Sequence, residues 1–335
     1  MTSLTIRATI ALLLLLLSWG PAKAAEGGAD ATTSGLQLPL PCASVHASGL
    51  QSLAPPAHGV TAEAYRVHLP AAASRHAVSM SASSLRVESG TADTSDADLE
   101  RASSAAAAAL LVALSGDHHG GCDTALLHDA AAPIVHGLAH GGGYVATWLN
   151  VTLRGASGVV TAHRMQLRLE AHRMQEGLHA PGADAAAPVQ VAFSLEGVAG
   201  RLKPPTLLPD TLAWRISLPP SSLPTLLAAT GGSTPSAQIP VTVDDLRLTQ
   251  GKSIIDAKGS AIAAPTPLAS SADLHVTARD YDDLVEKAAS ADMVRLHTAL
   301  FLSSLVAKRD ADGLQWQVTY HDGVLAVNHV PIPVR

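Results

Sequence analysis

Between Val159 and Ala171 the chain alternates with a period of two. Val159, Thr161, His163, Met165, Leu167 and Leu169 fall on one side, and Val160, Ala162, Arg164, Gln166, Arg168 and Glu170 on the other. That is the pattern of a half-buried antiparallel strand, with a mostly apolar face turned to a core and a face that is polar from Arg164 onward. The segments Val189 to Val198, Leu212 to Leu218, Val241 to Thr249, Ser253 to Ala263 and Ala272 to Ala278 read the same way, as do Ala62 to Leu69 and Ala77 to Val87 nearer the start. A closing hairpin is expected from Leu314 to Tyr320 and Val324 to Val327, because His321-Asp322-Gly323 between them supplies an Asp-Gly pair suited to positive φ.

Helices are expected at four places. Asp96 to Leu114 begins with acids and continues into an Ala-rich run, and Thr124 to Ala139 is a weaker candidate interrupted at Pro133. Tyr281, Leu284, Val285 and Ala288 recur at helical spacing, and Met293, Leu296, Leu300, Phe301 and Leu305 do so after a break near Ser290. The expected class is α+β, a predominantly antiparallel β-sheet with a few packing helices, forming an elongated sheet or half-barrel.

The first residues address the chain. Arg7 precedes the apolar run Ala8 to Leu17, and Ala22-Lys23-Ala24 fits a cleavage site, so residues 1–24 read as a cleavable signal peptide and the mature chain as periplasmic. The apolar run is shorter than the roughly 20 residues that span a bilayer, so no transmembrane helix is expected after cleavage. Residues 25–60 form a loosely structured leading segment, residues 61–149 an N-terminal α+β region and residues 150–335 an antiparallel-sheet domain. Cys42 and Cys122 both lie in the exported part, where thiols are oxidised, and a disulfide between them is the economical expectation.

The formal charge of −6 becomes −8 when Arg7 and Lys23 leave with residues 1–24. An acidic balance without Lys or Arg clusters disfavours nucleic acid as a partner. The ten aromatic residues (two Phe, four Trp, four Tyr) make stacking platforms sparse.

The strongest chemical cluster is Asp117-His118-His119-Gly120-Gly121-Cys122, followed by His128, His136 and His140. Imidazoles there are candidate ligands for zinc, copper or nickel, and His136 and His140 share a helix face. Pro133 and Gly137 weaken that helix, however, and the spacing matches no closed site, so solvated histidines are the favoured reading. Gly251-Lys252-Ser253 lacks the first glycine of a phosphate loop, Leu246 standing in its place, and reads as a turn. Neither H-E-x-x-H nor G-x-S-x-G occurs. Asp244-Asp245 is disfavoured as a paired acid because neighbours on a strand point to opposite faces, and Asp282-Asp283 fits a helix start. Asn150-Val151-Thr152 fits a glycosylation sequon, which carries no expectation for a bacterial protein. No cofactor is expected.

From Val241 to Arg335 the order of elements resembles a family of exported bacterial proteins known only as a domain of unknown function. The elements are the strands of "VDDLRLTQGKSIIDAKGSAIA", then "SADLHVTARDYDDLVEKAA", a helical spacer, and the hairpin "LQWQVTYHDGVLAVNHVPIPV". That family is broadly similar to the AsmA-like envelope proteins, whose elongated sheets have been linked to lipid handling and outer-membrane upkeep. The resemblance implies a non-enzymatic envelope protein with a structural role or a lipid-like ligand, and envelope proteins as partners. The alternatives are a periplasmic metal-binding protein using residues 117–140, and an envelope hydrolase without a recognisable motif.

Overall fold

A computed structural model describes residues 43–69, 77–90, 94–115, 132–138, 141–171, 188–203, 206–223, 238–264, 266–291, 293–311 and 313–332. Its framework is one open antiparallel sheet. The strands are β1 (Ser44–Ser48), β2 (Gln51–Ser52), β3 (His58–Ala62), β4 (Ala64–Leu69), β5 (Val78–Ala82), β6 (Ser84–Ser89), β7 (Gly143–Gly155), β8 (Gly158–Ala171) and β9 (Val189–Glu196). They continue as β10 (Ala199–Leu202), β11 (Thr211–Leu218), β12 (Ile239–Gln250), β13 (Ser253–Ala263), β14 (Ser271–Arg279), β15 (Lys308–Asp310), β16 (Gly313–His321), β17 (Val324–Val327) and β18 (Val330–Ile332). Helix α1 (Asp96–Ser115) and the short α2 (132–138) fall between β6 and β7, while α3 (Tyr281–Ser290) and α4 (Val294–Val306) fall between β14 and β15.

The α+β expectation holds, and most second-half strands lie within a residue or two of where the alternation puts them. The sheet is a meander in which β7, β8, β9, β11, β12, β13, β14 and β16 pair in turn, and β16, β17 and β18 close one edge. The hairpin after β16 is a two-residue turn with Asp322 at φ 51° and Gly323 at φ 78°, as Asp-Gly favours.

Several expectations change. The loose segment expected over residues 25–60 is woven into sheet from Ala43 onward as β1, β2 and the start of β3. The boundary expected between residues 149 and 150 falls inside β7, and one connected core runs from Ala43 to Val318. The strand β7, on which the two halves meet, is not among the strands expected from alternation.

The inward face of β8 is also not the one expected throughout. Met165, Leu167 and Leu169 are buried, but before them the buried residues are Val160 and Ala162, with Thr161 and His163 exposed. His163 and Arg164 are both exposed, so the strand changes face between them. The same change occurs in its neighbours along a transverse crease. Buried Ala62 gives way to Tyr65 across Glu63, Ala82 to Leu85 across Ser83, and Trp148 to Val151 across Asn150, which sits at φ 50°. On β9/β10 the break is Gly197 at φ 63°, where a Cβ would lie 2.2 Å from the His163 ring. Backbone bonds stitch the line: Glu63 N donates to Ser48 O (2.9 Å), and Ser83 N to Leu149 O (2.9 Å). A strand that inserts one extra residue at each crossing bends while returning its apolar set to the core.

Ser95 caps α1 by accepting from Asp98 N (3.2 Å) and donating to the Asp98 carboxylate (2.7 Å). The helix packs on β3, β4, β5 and β6. Its buried Ala102, Ala105, Ala107 and Ala108 allow a close approach. Helix α3 packs on β13 and against α4. Asp283 accepts from Lys287 Nζ (2.9 Å), which also donates to Gln250 Oε1 (2.9 Å), tying α3 to the β12–β13 turn.

Candidate functional site

The register of the sheet lines up its inward residues in rows across the strands. One row runs Val60, Val87, Ala146, Leu167, Phe193, Trp214, Leu246, Ala257, Val276 and Trp316, each the pairing partner of the next. The next row, from Ala62 and Leu85 through Trp148, Met165, Leu195, Leu212, Leu248 and Ile255 to Ala278 and Leu314, is equally apolar. Ten neighbouring strands at about 4.8 Å spacing make each row roughly 40 Å long. The opposite face is polar, with Arg86, Thr147, Gln166, Ser194, Arg247, Asp256, Thr277 and Gln315 in register; there Asp256 accepts from Arg247 Nε (2.6 Å) and Arg279 (3.2 Å).

Helices cover this apolar face unequally. Among the described residues, the principal helix contacts with the sheet fall at its two ends, α1 on β3 to β6 and α3 on β13. Trp214 between them, Ile255 and Ala257 on β13 and Val276 on β14 keep partial exposure while packing against the core, whereas Ala146, Leu167, Phe193 and Leu246 of the Trp214 row are buried.

The two covered ends differ in their polar atoms. Under α3 and α4, Tyr281 Oη shares a hydrogen bond with Ser303 Oγ (2.6 Å) and Trp316 Nε1 donates to Ser303 O (2.8 Å). Their rings pack tilted at 5.3 Å. Under α1, Tyr65 Oη donates to Ser104 Oγ (3.3 Å), but Tyr144 Oη, Trp148 Nε1 and both carboxyl oxygens of Glu100 have no hydrogen-bond partner. Glu100 is 1% exposed, Tyr144 2% and Trp148 0%. Burial raises the pKa of the Glu100 carboxyl, and burial pushes both Tyr65 and Tyr144 well above the ordinary phenol range. Ser103 eases Tyr144 slightly without reaching hydrogen-bond geometry, its hydroxyl being donated to Glu100 O (2.8 Å).

The residues singled out from sequence scatter. Cys42, Cys122, His118, His119, His128 and His140 lie outside the described residues, as does the signal segment. His136 is exposed on α2, and among the described residues no group of three or more His, Cys, Asp or Glu is arranged to hold a metal. Asp244 and Asp245 do not point to opposite faces: β12 bulges between Val243 and Leu246, leaving both exposed, and Asp244 accepts from Ser217 (2.6 Å). Gly251-Lys252-Ser253 is the β12–β13 turn, with Gly251 at φ 60°. Asp283 is held below the usual carboxylate range by its hydrogen bond to Lys287, a structural pairing at a helix start. Asn150 donates to Ser83 Oγ (2.9 Å) across the crease.

Sequence reasoning missed Glu100, Tyr144 and Trp148. Glu100 follows Asp96 and Asp98 and reads as one more acid at a helix start, although one turn on it shares a face with Ser103 and Ser104. Among the described residues no helix is long and apolar enough to cross a membrane. Comparison with protein-family models, with curated proteins and with solved structures found no match.

Proposed function

We propose that this is a non-enzymatic envelope protein of the periplasm whose sheet holds a lipid-like molecule along its inward face, between the cover of α1 and that of α3. The observation that carries the reading is the set of apolar rows, unbroken over ten strands and capped by helices chiefly at their ends. Each methylene buried against such a surface contributes about 0.8 kcal/mol, so a chain of roughly ten carbons binds without a charged anchor. Partly exposed Trp214 lies within the track, partly exposed Ile255, Ala257 and Val276 lie toward its α3 end, and buried Met165 gives its wall an adaptable side chain. The resemblance of residues 241–335 to the exported, distantly AsmA-like family supports the same reading.

Native mass spectrometry and solvent extraction of protein purified from the envelope test it. Co-purifying apolar ligand is expected, released on denaturation. A ligand-free protein that takes up neither fluorescent fatty acid nor phospholipid rejects it in favour of a purely structural role.

A further inference from the structure

Buried polar groups almost always find partners, so three orphans at one end of an apolar track mark a place where something is received. The other end supplies an internal control. There the same residue types, Tyr281 and Trp316, are both satisfied through Ser303. Tyr144 and Trp148 stand four residues apart on the inward face of β7, and Glu100 is on α1, which packs on the adjoining strands β3 to β6. Tyr65 lies within electrostatic reach of both Glu100 and Tyr144, and none of Glu100, Tyr144 and Trp148 has a side-chain partner.

Resting on the lipid-holding reading above, we propose that this end of the track receives the uncharged, hydroxyl-bearing head of an acylglycerol, its hydroxyl donating to Glu100 and its ester carbonyls accepting from Trp148 Nε1 and Tyr144 Oη, with the acyl chains lying along the apolar rows. Trp148 has only a donor to offer, so its complement is an acceptor such as a carbonyl; a carboxyl group accepts from a hydroxyl in either ionisation state. The backbones of Tyr144 and Trp148 are about 13 Å apart along the strand, a span that two long aromatic side chains and a glycerol ester together bridge. Charge decides against a phosphate. No basic side chain among the described residues bears on the ionisation of Glu100, Tyr65 or Tyr144, and a phosphate beside a buried carboxyl without a cation is strongly disfavoured. The apolar rows do not discriminate between acyl chains, and the polar end alone selects the head.

The test uses the full mature chain and fluorescently labelled dioleoylglycerol, dioleoyl phosphatidylglycerol and oleic acid as probes. Dioleoylglycerol is expected to bind at least about tenfold more tightly than the phospholipid with the same chains, and Glu100→Gln combined with Trp148→Phe to lose about tenfold for dioleoylglycerol, the scale of one or two hydrogen bonds. Tyr144→Phe provides a milder variant, and a fluorescent hydrocarbon without a head group is expected to bind wild type and variants alike, showing that each variant is folded. Phospholipid or fatty acid bound as tightly as dioleoylglycerol overturns the head-group assignment alone, as does dioleoylglycerol affinity unchanged in the variants. Failure of every probe, the hydrocarbon included, overturns the lipid-holding reading and this one with it.

Discussion

The two ends of the sheet solve one problem differently. Both bury a tyrosine and a tryptophan beneath helical cover, yet near β16 one serine on α4 satisfies both, while beneath α1 Tyr144 and Trp148 are left unpaired beside a buried acid. The backbone differs in parallel. Strands of the first half change face together along the line through Glu63, Ser83, Asn150 and His163, whereas β12 makes its own single bulge at Asp244-Asp245 and β14 and β16 run straight. A closed, fully paired end is what stability alone produces. An end with unmet hydrogen bonds carries a cost in stability that the other end avoids.

The contrast is open to attack in order of expected effect. Deleting Asp244 removes the bulge of β12 and turns Ile239, Val241 and Val243 outward if the rest of the strand keeps its face; at about 1.5–3 kcal/mol for each buried side chain, a loss of about 4 kcal/mol or more is expected in denaturant unfolding. A loss below about 1 kcal/mol breaks the account of the bulge. Next comes a matched pair. Ser303→Ala removes the shorter of the two hydrogen bonds of Tyr281 and leaves the one to Leu300 O (3.3 Å), so it is expected to cost about 0.5–1.5 kcal/mol, whereas Tyr144→Phe deletes a hydroxyl that had no partner and is expected to be neutral or stabilising. Equal losses at both sites erase the difference between the ends.

A smaller effect is read from pH. The folded state raises the pKa of Glu100 above its ordinary 4.5, so the native protein binds the proton more tightly than the unfolded chain. Its contribution is therefore fully present below that value and lost as pH rises through the raised one. Unfolding free energy measured upward from pH 4 is expected to fall less in Glu100→Gln than in wild type, and identical slopes refute the burial of that carboxyl. The smallest effect belongs to the polar face, where Asp256→Asn is expected to cost less than about 1 kcal/mol and to lose even that in high salt, because its arginine partners are about half exposed.

Much of the sheet was legible because burial imposes a period of two, which Ala272 to Ala278 displays without interruption. Where the period was broken, the reading slipped. Ala162-His163-Arg164-Met165 places two polar residues between apolar ones, and treating it as continuous alternation assigned Thr161 and His163 to the wrong face; Val243-Asp244-Asp245-Leu246 misled in the same way. The doubled polar pair was itself the sign of a bulge. Strand β7 escaped because its alternation through Tyr144, Ala146 and Trp148 starts directly after a glycine run and breaks at Asn150. The polar cluster beneath α1 was invisible for a different reason: it is assembled from β4, α1 and β7, and no local pattern announces that Glu100 faces inward.

The meander has a further consequence for how the sheet comes into being. When β1/β2, β3/β4, β5/β6 and β9/β10 are each counted as one interrupted strand, almost every strand pairs with the one just made before it, and the two helical insertions, at α1–α2 and at α3–α4, return the chain to the strand it left, β6 meeting β7 and β14 meeting β16. Loop closures are thus short, which favours fast pairing. A chain emerging amino end first can add its strands one at a time, each new strand finding a waiting edge, so assembly proceeds by growth along the sheet, with the β1/β2 edge fixed and the other edge advancing.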